Sequence, residues 1–349
     1  MTRILAAGDH FVLPEMFAEA LTARVDSDVE VIPLTLPWPI EPFGPVDGVV
    51  EASGTAADVI AALGEAEVAV TQMGPFTAEV FRACPNLRFV GVCRGGPVNV
   101  DLAAATEAGV VVSFAPGRNA PAAAEFAVGM ILAAMRRLTS ADAELHDGIW
   151  RGDYYTYDNA GTELGDSTVG LVGFGAISRI VARILQAFGA EVIAYDPYVD
   201  AADSDGVELV ALDDLMRRSD VVSLHARLTE ETRHLIDRRR LELLPRGAVL
   251  VNTARGGLLD YSPLPQMLES GRLGALALDV YDVEPPPADW PLLSSPRVVL
   301  SPHLAGATRQ TALRAAAITA DETARFLRGE PCLHVANPEV LERLESRRS

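Results

Sequence analysis

Thr168-Val169-Gly170-Leu171-Val172-Gly173-Phe174-Gly175-Ala176-Ile177-Ser178 is the stretch whose reading decides the fold. Thr168–Val172 is a short strand-like run. Ala176–Phe188 is helical, with Ile177, Ile180, Val181, Ile184, Leu185 and Phe188 on one face. Between them lies a GxGxxG-like turn with serine in place of the third glycine. Two glycines let the backbone turn tightly and approach a pyrophosphate, whose charge then meets the unpaired N–H groups of the helix N-terminus. Such a turn alone is weak evidence, because an ordinary tight βα connection looks the same. Asp196 strengthens it: 21 positions beyond Gly175 and at the end of the next strand, a carboxylate accepts both ribose hydroxyls of an adenosine and repels a 2′-phosphate. Pro197 and Tyr198 follow it without an arginine, so the pattern favours NAD over NADP.

Outward from this turn, short β-branched runs alternate with helical patterns along the whole chain, the signature of βαβ units and parallel sheets covered on both faces. The class is α/β. Arg3–Gly8, Val29–Leu34, Val68–Gln72, Arg88–Cys93 and Val110–Ala115 read as strands of a first doubly wound sheet, with helices near 14–24, 55–64, 77–84 and 101–109. Residues 36–54 carry too many prolines and glycines for regular structure and read as a loop. A long Ala-rich helix is expected from Ala120 to about His146, followed by an aromatic segment (Trp150, Tyr154, Tyr155, Tyr157) that reads as a lid, a subunit contact or an ordered surface loop. A second series begins at Thr168–Val172 and continues through Glu191–Asp196, Asp220–His225, Ala248–Thr253, Gly274–Val280 and Val298–His303, six strands in all. The last helical pattern, Arg309–Leu327, has no strand after it.

The 349 residues leave room for two domains, and 49% hydrophobic with 22% charged residues is ordinary globular composition. A formal net charge of −19 argues against nucleic acid and anionic membranes as partners. Cys84, Cys93 and Cys332 are odd in number and lack neighbours at ligand spacing, so neither a disulfide framework nor a metal site is expected. No apolar run approaches the roughly 20 residues of a membrane span, and the expected location is the cytoplasm.

Three further strand ends finish in polar residues that sheet packing does not explain. Arg255-Gly256-Gly257 follows a buried strand, where the planar guanidinium suits a bidentate grip on a carboxylate. Asp279 to Glu284-Pro285 follows the next, and Ser301-Pro302-His303 the last. A carboxylate bonded to a histidine fixes its tautomer and raises its pKa, leaving an imidazolium ready to protonate an alkoxide. Glu284 and His303 are expected to form that pair. A lone strand-end histidine or arginine is as often a packing or surface residue, and only the combination points to chemistry.

The series of glycine turn, Asp196, His225-Ala226-Arg227-Leu228-Thr229, Arg255-Gly256-Gly257, Asp279 with Glu284-Pro285, and Pro302-His303 resembles the D-isomer-specific 2-hydroxyacid dehydrogenases over nearly the whole chain. The resemblance implies hydride transfer between NAD and C2 of a small anionic 2-hydroxy or 2-oxo acid. His303 is then the acid/base, Glu284 its support, and Arg255 a substrate ligand. It implies cofactor contacts from Gly173, Gly175, Ala176, Ile177, Asp196, His225, Thr253 and Asp279, the last holding the nicotinamide carboxamide. It also implies two doubly wound domains, a Rossmann NAD-binding domain (114–308) inserted into a flavodoxin-like substrate domain (1–113 plus 309–349), with the active site in the cleft between them, and a homodimer formed through 120–146 and the aromatic segment. Gly95 and Gly96 match a loop whose N–H groups hold the substrate carboxylate. Arg94 stands where glycine is usual and Arg118 adds a second cation; both are candidate ligands for a distal anionic or hydroxyl-rich group, against the alternative of structural ion pairs. Arg227 replaces a usual proline, its role open. The leading substrate is 3-phosphoglycerate or a similar acid. Glyoxylate/hydroxypyruvate reduction is the alternative within enzymes, formate or phosphite oxidation is less favoured, and an NAD(H)-sensing corepressor-like protein is the alternative outside them. With 46 residues beyond His303, no C-terminal regulatory domain is expected.

Overall fold

The computed structural model describes residues 1–25 and 28–346 and divides into two compact units, 1–119 with 307–349, and 120–306. The first unit carries β1 (Thr2–Gly8), α1 (Pro14–Thr22), β2 (Val29–Thr35), α2 (Ala56–Leu63), β3 (Val68–Thr71), α3 (Ala78–Ala83), β4 (Phe89–Val92), α4 (Leu102–Ala108) and β5 (Val111–Phe114). Its five strands are all parallel in the order β2-β1-β3-β4-β5, a flavodoxin-like doubly wound sheet. β3 and β4 are buried at every position, which is why they read as continuous apolar runs rather than alternating ones. Local signals start the helices: Thr55 and Asp58 form a capping box on α2, and the Asp101 carboxylate accepts the Ala104 N–H at 2.9 Å to cap α4.

The second unit opens with α5 (Ala120–Met135) and α6 (Leu138–His146), then β6 (Thr168–Val172), α7 (Ala176–Ala187), β7 (Glu191–Tyr195), β8 (Glu208–Leu209), α8 (Leu212–Arg218), β9 (Val221–Leu224), α9 (Arg238–Leu241), β10 (Ala248–Asn252), α10 (Leu264–Glu269), β11 (Leu273–Leu278) and β12 (Val298–Leu300). Its parallel order is β8-β7-β6-β9-β10-β11-β12, the Rossmann order with short β8 and β12 at the edges. The expected six strands become seven because Glu208–Leu209 pairs with β7. The expected single helix over 120–146 is two: Arg137 takes a left-handed φ of 53°, which breaks the ladder. α5 is buried in this unit's own core, packed on α7, β10 and β11, whereas α6 buries nothing.

α11 (Arg309–Leu327) returns to the first unit and lies against α1 and β4. Gly91 in β4 permits that approach, since a Cβ there would sit 2.7 Å from the Thr319 methyl. α12 (Glu339–Ser346) follows; residues 347–349 lie outside the described ones.

Gly170 plays the same part in the second sheet. A Cβ on it would fall 2.5 Å from Leu215 Cδ2, and closer still to Ser219 Oγ, so α8 packs on β6 only because no side chain intervenes. Gly170→Ala is expected to destabilise the second unit by about 1–3 kcal/mol, read as a fall in the urea midpoint; an unchanged midpoint would show that α8 has room to shift.

Candidate active site

Adjacent parallel strands put their C-terminal ends in a row, so the sheet order fixes which loops neighbour one another. In the second unit that row carries the His303 turn after β12, Asp279 to Glu284 after β11, Thr253 to Arg255 after β10, His225 after β9, the glycine turn after β6 and Asp196 after β7. The chain order reverses between β6 and β9, the switch point at which open sheets bind ligands.

At one end of the row, His303 Nδ1 lies 2.8 Å from Glu284 Oε2, while Glu284 Oε1 accepts the Tyr281 N–H at 3.0 Å. Both carboxylate oxygens are therefore held, and Nδ1 is the nitrogen that donates. The Glu284 hydrogen bond lifts the imidazole above its ordinary value against the opposing pull of burial and of the Arg255 charge. Burial pushes the Glu284 carboxyl up, but the hydrogen bond and charge of His303, with Tyr281 N–H and Arg255, outweigh it and hold it below the usual carboxylate range. His303 is half exposed on a left-handed backbone, φ 56°, three residues beyond the end of β12 rather than on the strand itself.

Asp279 is wholly buried. Its Oδ1 accepts Ser301 Oγ–H at 2.6 Å and Leu304 N–H at 2.7 Å, and its Oδ2 accepts Ala305 N–H at 2.9 Å. With no exposed surface and three internal donors, this carboxylate organises the turn that carries His303. Asn252, which sequence reasoning passed over, does the same for Arg255. Its Nδ2 donates to Arg255 O at 2.9 Å and its Oδ1 accepts Ala254 N–H at 3.1 Å. Gly256 is required by close approach, because a Cβ would fall within 2.0 Å of the Tyr281 carbonyl carbon. Tyr281 ties the turns together, donating its hydroxyl to Ser301 O at 2.9 Å. The signal for Asn252 and Ser301 was available: each is polar at the end of a buried strand.

The other end of the row fits a dinucleotide. Gly175 caps α7 with no side-chain bond, and a Cβ on it would meet nothing within 4 Å, leaving open space over the first-turn N–H groups. Ala176 beside it is exposed and Ile177 half-buried. Gly173 is left-handed (φ 90°) and packs its backbone on Ala226, whose nitrogen would lie 2.7 Å from a Cβ placed there. Ser178, in the third glycine's place, is buried and donates its hydroxyl to Gly173 O, bracing the turn. Asp196 accepts the Phe174 N–H at 2.8 Å and the Tyr198 N–H at 2.9 Å, which aims the carboxylate and leaves lone pairs for two hydroxyls. His225, 3.0 Å from Ser223 Oγ, is pushed down to about 4 by burial and is neutral near pH 7. Thr253 is half-buried at the end of β10.

Four expected substrate residues lie in the first unit. Gly95 is exposed and Gly96 half-buried on the loop after β4. Arg94 is already engaged, with Nη2 2.7 Å from Glu51 Oε2 and Nη1 2.8 Å from Met73 Sδ. Arg118, lowered from its ordinary value by burial, keeps a buried Nη1 without a hydrogen-bond partner.

Residues 128–305 match the family model described as "D-isomer specific 2-hydroxyacid dehydrogenase, NAD binding domain". The chain is 39% identical over 270 residues to a glyoxylate reductase of Korarchaeum cryptofilum, covering 77% of this chain and 81% of that one. It is 38% identical over 267 residues to a D-3-phosphoglycerate dehydrogenase of Archaeoglobus fulgidus, covering 76% of this chain but only about half (50%) of that relative's length. Among solved structures, the TT0316 protein of Thermus thermophilus superposes with a TM-score of 0.78 at 29% identity, over 96% of this chain and 100% of that one.

The raised His303 is checked by NMR titration of its imidazole. Its pKa is expected above 6.5 in the native protein, falling when Glu284→Gln removes the negative partner. Because the folded value is the higher one, the pair's stabilisation is complete below the unfolded histidine value and disappears as pH rises through the folded value. A midpoint unmoved by Glu284→Gln would show that the pair does not set it.

Proposed function

Because this chain belongs to the D-isomer-specific 2-hydroxyacid dehydrogenase family, we propose that it interconverts a small anionic D-2-hydroxy acid and its 2-oxo acid with NAD. The observation that carries the reading is the His303–Glu284 pair at 2.8 Å on the same row of strand ends as the glycine turn. NAD, when bound, accepts or supplies the hydride at C2 of the substrate. Gly173, Gly175, Ala176, Ile177, Asp196, His225 and Thr253 would hold it.

His303 takes the proton of the C2 hydroxyl in oxidation and gives it back to the C2 oxygen in reduction. With Nδ1 committed to Glu284, Nε2 is the atom that exchanges this proton. Glu284 keeps the imidazole in that tautomer and stabilises the imidazolium. Arg255, exposed and among the described residues hydrogen-bonded through its guanidinium to its neighbour's carbonyl alone (Ala254 O, 2.6 Å), offers that guanidinium to the substrate carboxylate. Asp279 acts on the reaction through the turn it pins. In the first unit, Gly95 and Gly96 are proposed as N–H donors to an anion, with Arg118 a stronger candidate than Arg94 for a ligand, since Arg94 directs its charge at Glu51.

That ion pair favours an unphosphorylated substrate, glyoxylate or hydroxypyruvate, over 3-phosphoglycerate as a second reading within the same chemistry. NADH oxidation against glyoxylate, hydroxypyruvate and phosphohydroxypyruvate separates them. Turnover with at least one is expected, falling as pH rises through the His303 value, and His303→Ala is expected to lose about 10²–10⁴-fold of it while NADH binding stays nearly unchanged. Tight NADH binding without turnover on any 2-oxo acid would favour the sensing protein.

A homodimer is proposed through α6 and the aromatic segment, where Trp150 is 83%, Tyr155 95% and Tyr157 96% exposed. The buried face of α5 is covered within its own unit and is not offered. Light scattering is expected to return twice the chain mass; a monomer at micromolar concentration would remove this surface from consideration.

A further inference from the structure

The segment after β9 runs between two glycine turns of the second unit. On one side the Ala226 backbone lies against Gly173, where a Cβ would come 2.7 Å from its nitrogen and 2.8 Å from its Cα. On the other, the Leu228 side chain lies against Gly257, where a Cβ would come 3.0 Å from Leu228 Cδ2. Arg227 is fixed between them, one Cα step of about 3.8 Å from the residue that touches the dinucleotide turn. Thr232 Oγ1 donates to its carbonyl at 2.7 Å, so its backbone is held. Its side chain is exposed and, among the described residues, makes no hydrogen bond or ion pair.

Among the described residues, Arg136, Arg183, Arg233 and Arg238 share this freedom, whereas several other arginines of the unit are ion-paired. Arg179 pairs with Asp205, Arg217 with Asp214, Arg218 with Glu191 and Glu208, and Arg239 with Asp213. What sets Arg227 apart is its place, next to the residue whose backbone lies against Gly173.

The glycine turn, meanwhile, lacks a cation. A pyrophosphate brings two negative charges, against which a helix N-terminus offers the equivalent of about half a positive charge. The first turn of α7, Ala176-Ile177-Ser178, has no basic side chain, Arg179 is committed to Asp205, and Asp196 adds a further negative charge. We propose that Arg227 is the pyrophosphate-binding arm of this dinucleotide site, supplying by a forked charge-assisted contact the positive charge that the glycine turn does not contain. The proposal rests on the NAD-binding reading above and adds to it a specific residue, placed where the family resemblance leads one to look for proline.

The test is calorimetric titration of the whole chain, wild type against Arg227→Leu and Arg227→Lys, with NADH, ADP-ribose and adenosine. ADP-ribose keeps the pyrophosphate but lacks the nicotinamide, and adenosine lacks both. Arg227→Leu is expected to weaken NADH and ADP-ribose by about tenfold or more, with adenosine binding and the thermal midpoint unchanged, and Arg227→Lys to recover only part of that loss, since it keeps the charge without the fork. Equal losses for adenosine and ADP-ribose would mean a distorted loop, and would overturn the proposal. Unchanged ADP-ribose binding with a raised KM for the 2-oxo acid would assign Arg227 to the substrate and overturn it as well. A wild type that bound neither NADH nor ADP-ribose would instead remove the dinucleotide reading on which the proposal stands.

Discussion

A buried carboxylate with no cation beside it is costly unless donors surround it, and Asp279 meets that condition with three hydrogen bonds from the single turn Ser301–Ala305. The rest of the candidate site depends on this. His303 sits in the middle of that turn on a left-handed backbone, a conformation that a non-glycine residue keeps only when its surroundings impose it. With the turn pinned, the imidazole meets Glu284; with Glu284 also held by the Tyr281 N–H, the imidazole has one orientation. Tyr281 in turn lies where Gly256 must be a glycine, which couples the Arg255 turn to the same network. The precision of the pair thus comes from backbone groups and buried amides rather than from the two residues themselves.

Much of this was legible in sequence because parallel strands buried on both faces leave uninterrupted apolar runs, and polar residues at their ends stand out. β1 to β5 and the main strands of the second sheet lie within a residue or two of the expected bounds, except that the expected Val298–His303 stops at Leu300. What escaped was set by geometry that no residue type announces. The break between α5 and α6 depends on a left-handed arginine, and arginine carries no such signal. β8 is two residues long and exists only because β7 offers an edge. Asp279 was visible as a polar strand end, but its three bonds to the following turn depend on burial and backbone geometry, which composition does not reveal. Arg94 was open between an anion ligand and a structural ion pair, and its partner Glu51 lies 43 residues earlier in the chain, a pairing that sequence does not announce.

The two arginines of the substrate question differ in the same physical respect. Arg94 has exchanged water for a carboxylate at 2.7 Å and brings little net charge to a ligand. Arg118 has been taken out of water without full compensation: one guanidinium nitrogen is buried and unpaired, and burial works against its charge. A ligand group can satisfy an unpaired buried donor directly; a paired cation must first break its own contact.

The net charge of −19 is compatible with binding an anionic cofactor once pairing is considered. Total charge governs the field at long range, where salt screens it within about 8–10 Å, but a docked phosphate feels what lies beside it. In the second unit Asp205, Asp213, Glu191 and Glu208 each lie within 3.3 Å of an arginine, with Arg218 shared between the two glutamates. Arg255, whose bond is to a carbonyl, and Arg227, which has no partner among the described residues, are not cancelled in this way. Both follow strand ends of the same row, so two guanidinium groups outside any ion pair stand at the edge of the sheet where the glycine turn lies, and the places of these arginines say more about what the protein binds than their number does.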